Sequence, residues 1–321
     1  PYLMRTPHLG IVTSRGCPGS CVFCTIKAVW GRTWRAKSAK KTVDEIEFLH
    51  NRYGIRELSF LDDSASLDKK RWNSICGELI DRKLNIKWTT PNGIAHWTLD
   101  RSIFKKMRDA GCYRITFGIE SGSEETRKFI GKTHPLSQAR ELIRYANKIG
   151  MWTICTNILG FPFETKESMT DTVKFAKESG TDFATFFLLS PHLTSDVYGY
   201  FEKEGLINFS SVLEDNEFDE EKYDSMYRVL NDGGFPTRYF TAVQLKEMQI
   251  KSYRNFIIYR AFTYLINPVQ LLRKMHSPED VQYTIKLLYN GLKIFLRSFY
   301  RLTTKKLLYN YLGRDLKQLA N

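Results

Sequence analysis

The stretch Leu9-Gly10-Ile11-Val12-Thr13-Ser14-Arg15-Gly16-Cys17-Pro18-Gly19-Ser20-Cys21-Val22-Phe23-Cys24 carries the first decision. Its apolar opening at 9–13 reads as a strand that passes straight into a loop with Cys-x3-Cys-x2-Cys spacing. Three thiolates on one tight loop suit three corners of a cubane iron–sulfur cluster. Gly16, Pro18 and Gly19 let that loop wrap closely. A structural zinc site closes its shell with four ligands, and an electron-transfer cluster takes four cysteines. Here Cys17, Cys21 and Cys24 leave one corner open for a substrate or cofactor. Zinc stays open as an alternative, with His8 or Cys112 as a distant fourth ligand. Arg15 and Lys27 are the nearby cations that would offset an anionic cluster.

Outward from this loop the chain alternates strand-like and helix-like segments. Strand patterns fall at 9–13, 57–61, 86–90, 114–119, 153–159 and 183–189, and helical patterns at 42–53, 68–82, 100–110, 136–149 and 166–179. Gly54, Gly111, Gly150 and Gly180 each follow a helix, where a left-handed cap is wanted, and Asp100 and Ser137 are expected N-caps. Six β-α repeats imply a parallel sheet with right-handed crossovers. A doubly wound sheet and a partial barrel both satisfy this, and both bind ligands at the C-terminal strand ends. Polar and glycine residues gather at those ends, at 14–16, 62–64, 92–93, 120–122, 160–164 and 190–194.

The bulk numbers bound this reading. The chain has 321 residues, 42% of them apolar, enough for a sizeable core. No apolar run is long enough to span a membrane. The chain opens on Pro1 without a leader sequence and reads as part of something longer. Of the six cysteines, three are crowded in the loop; Cys76, Cys112 and Cys155 are scattered and read as small core residues. That usage fits a reducing cytoplasm. Residues 246–321 hold 14 lysines and arginines against 4 aspartates and glutamates, so +10 of the net +13 lies there, while the first 245 residues are nearly balanced. After residue 200 the β-α rhythm stops. An acidic loop is expected at 214–221, then helices from 241 onward, broken near 267–268 and 277–278, with Thr241 and Ser277 as caps.

On these motifs the chain resembles the radical S-adenosylmethionine superfamily from about residue 9 to 200. The resemblance implies an α/β fold, a partial (β/α)6 TIM-like barrel, followed here by a helical C-terminal lobe. The expected division is a core at 1–200, a linker at 201–240 and a basic helical lobe at 241–321. It also implies an enzyme that holds a [4Fe-4S] cluster on Cys17, Cys21 and Cys24. The open iron of that cluster chelates S-adenosylmethionine, and one electron cleaves it to methionine and a 5′-deoxyadenosyl radical. Phe23 matches the aromatic position beside the adenine. Leu61-Asp62-Asp63 matches the strand-two contact to the methionine amino group. Glu120, in Gly118-Ile119-Glu120-Ser121-Gly122, matches the carboxylate that binds the ribose hydroxyls, with Ser121 beside it and Asn92 as a weaker rim position. Gly160-Phe161-Pro162-Phe163-Glu164-Thr165 is similar to the family's Gly-x-Pro-Gly-Glu-Thr loop. Phe163 replaces its usual glycine, so a left-handed backbone there would be strained. The stretch 190–198 lacks the glycine and second proline of the family's Pro-Gly-Thr-Pro, which weakens any transfer of substrate.

The stretch from Cys24 to Ser38 resembles the cobalamin-associated branch, which includes methylases and the anaerobic tetrapyrrole cyclase. Cobalamin is then expected upstream of Pro1, and the chemistry is methyl transfer, cyclisation or rearrangement at an unactivated carbon. Two alternatives stand beside it: a cobalamin-independent modifier of RNA or peptide, and a non-enzymatic metal-stabilised binding protein. No residue announces itself as a general acid or base; His134 and His192 are rim candidates. A small, hydrophobic or lipid-like substrate and a reductant such as flavodoxin or ferredoxin are the expected partners. Gln282, Lys286, Asn290, Lys293, Arg297 and Arg301 recur along one long amphipathic helix. That stripe reads as a solvated edge or as a peripheral contact with an anionic membrane, with nucleic acid the weakest reading.

Overall fold

A computed structural model describes residues 3–207, 221 and 234–303, with side chains as far as 293. The elements follow the alternation read from the sequence: β1 His8–Ile11, β2 Ser14–Arg15, α1 Ile26–Val29, β3 Arg35–Ala36, α2 Ala39–Tyr53, β4 Glu57–Phe60, α3 Lys69–Asp81 and β5 Lys87–Ile94. Next come α4 Arg101–Asp109, β6 Cys112–Glu120, α5 Glu124–Ile130, α6 Leu136–Lys148, β7 Trp152–Leu159, α7 Lys166–Ser179, β8 Phe183–Leu188 and α8 Asp196–Lys203. The C-terminal region is helical: α9 Ala242–Ile266, α10 Val269–Leu272 and α11 Pro278–Thr303.

The six long strands form one parallel sheet in the order β1-β4-β5-β6-β7-β8. A doubly wound sheet reverses its strand order midway; this one never does. Successive helices also pack on one another, α2 on α3, α3 on α4, α4 on α6 and α6 on α7, as in a single outer layer. The sheet is therefore the open, barrel-like alternative. Its core lies between sheet and helices, around the edge-to-face cluster of Phe60, Trp72 and Trp88.

Helix α9 covers the last strand. Gln249 Nε2 donates to the Phe186 carbonyl at 2.7 Å, and the Tyr253 hydroxyl accepts from the Phe186 amide at 3.0 Å. Backbone groups that a sheet edge would expose are thus partnered by side chains.

Local signals explain most of the boundaries. Asp100 caps α4 through the Ser102 and Ile103 amides, and Thr241 and Gln244 form a capping box on α9. Helix α9 ends before Asn267-Pro268, and α11 starts at Pro278, where the Ser277 hydroxyl accepts from the Asp280 amide. The expected cap at Ser137 is corrected: α6 begins one residue earlier, at Leu136 after Pro135, with no side-chain cap. Proline at that position presets φ and needs no amide partner. The acidic stretch expected at 214–221 lies, but for Glu221, outside the described residues.

The N-terminal ends of the strands are pinned by buried charges. Glu57 accepts from the Met4 and Arg5 amides at 2.8 and 2.6 Å and from the Tyr113 hydroxyl at 2.7 Å. Lys274, only 1% exposed, donates to Asn147 Oδ1, the Met151 carbonyl and Asp182 Oδ2 at 2.5, 2.5 and 2.6 Å. It ties the turn after α10 to the starts of β7 and β8.

Candidate active site

The cysteine loop leaves the C-terminal end of edge strand β1 and is closed at its base. Ser14–Arg15 and Arg35–Ala36 form a short antiparallel ladder that encloses residues 16–34. Gly16 is required there: its φ is +82°, and a Cβ would stand 2.4 Å from the Thr33 carbonyl oxygen. Two backbone bonds strap the loop to the barrel, Val22 N to Ile130 O at 3.2 Å and Val197 N to Val22 O at 2.9 Å. The cysteines are free thiols. Burial pushes the Cys21 and Cys24 thiols up; the Lys132 cation acts the other way on both.

The thiols also act electrostatically on one another. Yet no three His, Cys, Asp or Glu side chains among the described residues are drawn close enough to hold a single ion. The zinc alternative also fails on its fourth ligand. His8 opens β1 and bonds Ser59 at 2.8 Å, and fully buried Cys112 opens β6, so both lie at the opposite strand ends.

Glu120 ends β6 beside this loop. It is one of only two described non-glycine residues with a positive φ, +67°. It sits on a register shift between β6 and β7, and such bulges re-aim side chains. Its Oε1 accepts from Lys132 Nζ at 2.9 Å and from Thr156 Oγ1 at 3.5 Å. Lys132 also donates to the Gly118 carbonyl at 2.9 Å. Burial works against the Lys132 ammonium, but the Glu120 carboxylate and the Cys21 and Cys24 thiols outweigh it and push its pKa up. One cation therefore joins the cysteine loop to Glu120. Sequence reading missed it; the signal available was Gly131-Lys132 just after α5. Arg15 and Lys27 point elsewhere: Arg15 lies 5.1 Å over the Trp30 ring, and Lys27 pairs with Asp196.

The other expected contacts divide into two groups. Phe23 packs edge-on to Phe161 at 6.4 Å, between the cysteine loop and the loop after β7. Asp63 lies near the loop; burial raises its pKa and the Gly16 amide opposes the rise. Asn92 is exposed and donates to the Leu61 carbonyl at 2.8 Å, joining the ends of β4 and β5.

Asp62, Ser121 and Gly160 instead build the rim from within. Asp62 is 1% exposed; its Oδ1 accepts from the Thr13 amide, Thr13 Oγ1 and Ser14 Oγ at 3.1, 2.8 and 2.5 Å. Buried Arg71 completes that knot by donating to Thr13 Oγ1 at 2.8 Å. Fully buried Ser121 bonds Thr172 Oγ1 at 3.1 Å, and Gly122 lets α7 approach. There a Cβ would meet the Asp171 carbonyl oxygen at 2.4 Å. The Gly160 amide donates to Glu164 Oε2 at 2.8 Å, and the Phe161 amide to the same oxygen at 3.1 Å. Burial pushes Glu164 up to about 7 despite these donors. Phe163 is not strained: the left-handed residue of this loop is Gly160, φ +94°, and Phe163 packs on Phe129 at 4.9 Å. His134 stacks on Trp97 at 4.5 Å near Lys132, whereas His192 uses its backbone carbonyl to hold Ser195.

Comparison with known proteins places the chain by sequence and fold. The chain is 32% identical over 248 residues to an uncharacterised methyltransferase of Pyrococcus horikoshii, covering 77% of this chain and 51% of the relative. It is 26% identical over 249 residues to the anaerobic magnesium-protoporphyrin IX monomethyl ester cyclase of Rubrivivax gelatinosus, covering 78% and 42%. The chain thus spans about half the length of the curated relatives it matches. Among solved structures it superposes on the radical S-adenosylmethionine methyltransferase TsrM of Kitasatospora setae, which has cobalamin and a [4Fe-4S] cluster bound. The TM-score is 0.56 at 18% identity, covering 61% of this chain and 39% of that one, a likeness of fold. Residues 11–176, from β1 into α7 and including the cysteine loop and Glu120, match the family model of the Radical SAM superfamily; the chain is a member of that family of cluster- and S-adenosylmethionine-dependent enzymes.

Proposed function

We propose that this chain is the core of a cobalamin-associated radical S-adenosylmethionine enzyme that modifies an unactivated carbon of a small, largely apolar substrate. In this reading residues 1–200 form the core and cobalamin lies on a segment upstream of Pro1. The relatives' names support methyl transfer or cyclisation, and their greater length leaves room for that segment. The observation that carries the reading is Glu120, held in a left-handed pose and joined by Lys132 to the cysteine loop. Cys17, Cys21 and Cys24 would hold a [4Fe-4S] cluster. When bound, that cluster supplies the electron that cleaves the sulfonium of S-adenosylmethionine.

The chain's own residues then do the positioning. Glu120 accepts from a ribose diol, which offers two donors to a carboxylate, while Lys132 holds the carboxylate's other oxygen. Phe23 offers an aromatic face to the adenine. Asp63 and the strand end at Leu61, tied by Asn92, face the methionine amino group. Asp62, Ser121 and Gly160 support these contacts from behind.

Anaerobic reconstitution of the full-length protein tests the proposal. Four irons and four sulfides per chain, 5′-deoxyadenosine on reduction and bound cobalamin are the expected results. Bound zinc with no cleavage overturns it. C17A, C21A and C24A are each expected to lose iron and cleavage together.

A second reading concerns the C-terminal helices. Phe262, Leu265, Ile266 and Leu272 at the α9–α10 corner are 60–80% exposed in a strongly basic region. No described helix is long and apolar enough to cross a membrane. An apolar corner in a segment whose sequence carries net positive charge suits the surface of an anionic bilayer. Co-sedimentation with anionic but not zwitterionic vesicles, lost in Leu265→Glu, is expected; equal binding to both removes this reading.

A further inference from the structure

The net charge of the first 245 residues conceals a strong local segregation. Asp44 is the first acidic residue of the chain, whereas Arg5, Arg15, Lys27, Arg32, Arg35, Lys37, Lys40 and Lys41 precede it. Seven of these eight flank the cysteine loop, in the segment 15–41. Three are neutralised locally: Lys27 by Asp196, Lys37 by Glu45 and Lys40 by Asp44. Arg35 donates to the Trp30 and Thr33 carbonyls, which carry no charge. Arg15, Arg32 and Lys41 are exposed, with no acidic partner among the described residues.

Apolar surface lies among these cations. Val29 is 62% and Trp30 40% exposed, and the Arg15 guanidinium rests on the Trp30 ring. A shallow cavity of about 430 Å³ continues the patch along Arg15, Arg35, Lys37, Ser38 and Lys41. The face sits on edge strand β1 and its hairpin, two residues from Cys17 at its nearest point. An exposed tryptophan beside Arg15 and Arg35, on a face where Arg15, Arg32 and Lys41 form no ion pair among the described residues, has the anatomy of a protein-binding surface. Its charge selects an acidic partner.

We infer that this face docks a small acidic one-electron donor protein, of flavodoxin or ferredoxin chemistry. The inference rests on the reading of Cys17, Cys21 and Cys24 as cluster ligands. The step it serves is a single electron transfer: the donor is oxidised by one electron, the oxidised cluster is reduced by one, and no atom moves. Interfaces of this kind are small, polar and transient, so steering by charge dominates their rate.

The test uses the reconstituted full-length protein and the variants R32E/K41E, R32Q/K41Q and W30A. Arg32 and Lys41 contact none of the proposed cofactor residues, and glutamate at position 41 suits the first turn of α2. Binding of flavodoxin is measured by fluorescence, and cluster reduction by the loss of visible absorbance. Roughly tenfold weaker binding and slower reduction by flavodoxin hydroquinone are expected for R32E/K41E, with a smaller loss in R32Q/K41Q. The unaltered protein should bind flavodoxin more weakly as salt is raised, and W30A should weaken binding without removing that salt dependence.

Methyl viologen radical, a small cation, should reduce R32E/K41E as fast as the unaltered protein or faster. Equal flavodoxin binding and equal rates in all proteins overturn the inference, as they would if an upstream segment covers this face. Failure of the cluster to assemble in the unaltered protein overturns the functional reading instead.

Discussion

The two ends of the parallel strands use buried charge in opposite ways. At the N-terminal ends the buried charged groups are closed off, although the buried Trp152 indole N–H there has no partner among the described residues. Both carboxylate oxygens of Glu57 are bonded, and Lys274 meets three acceptors while Tyr264 takes the remaining oxygen of Asp182 at 2.7 Å. At the C-terminal ends Glu164 is bonded through both oxygens, but two other carboxylates are held by one oxygen and left with another. Asp62 Oδ2 is buried without a partner, and Glu120 is bonded through Oε1 alone. A closed network specifies and rigidifies structure, whereas an oriented acceptor without a partner is a place for a ligand. The left-handed Glu120 is at the C-terminal end, where such cost is tolerated for function; the other such residue, Lys83, lies in the turn before β5.

The sharpest way to break this comparison is to remove Lys274. Lys274→Ala leaves Asp182, Asn147 Oδ1 and the Met151 carbonyl buried without the cation they share. A loss of about 3–5 kcal/mol is expected by denaturant titration. A loss under about 1 kcal/mol would mean that the N-terminal end is not the stabilising one.

Glu164 gives the next largest effect, read through pH. Its pKa is raised in the fold, so the neutral form is favoured there. Its contribution to stability is complete below the ordinary glutamate pKa of about 4.3 and is lost as pH rises through about 7. The lost contribution is on the order of 3 kcal/mol. Glu164→Gln keeps an acceptor for the Gly160 and Phe161 amides. It should flatten stability between mildly acidic and mildly alkaline pH; an unchanged profile would remove Glu164 as its source.

Glu120→Gln should act on binding and not on folding. Losing a charged acceptor for the ribose diol is worth roughly 1.5–3 kcal/mol, or about 10–100-fold in S-adenosylmethionine affinity by equilibrium dialysis. Unaltered affinity would take Glu120 out of the site. The smallest effect separates the two lysines. Lys132→Ala removes one partner of a pair whose side chains are 17% and 10% exposed, and its stability loss should be smaller than that at Lys274, which is 1% exposed. It should still weaken S-adenosylmethionine binding by releasing Glu120. A stability loss equal to that of Lys274→Ala would erase the distinction drawn here.

The linear sequence by itself determined the order of strands and helices, the cysteine loop and the gathering of polar residues at one end of the strands. These follow from local period, spacing and cap chemistry, as at Asp100, Thr241 and Gly54. It pointed to Glu120 only through the family resemblance of Gly118-Ile119-Glu120-Ser121-Gly122. Only the tertiary structure separated Asp62 and Ser121, which face inward, from Asp63 and Asn92 on the rim. Side-chain direction at an irregular strand end depends on the register with its neighbours, and register is a non-local property. The same reason hid Lys132, Arg71 and Lys274. Each works through partners brought near by sheet pairing and helix packing, and no spacing along the chain records that proximity.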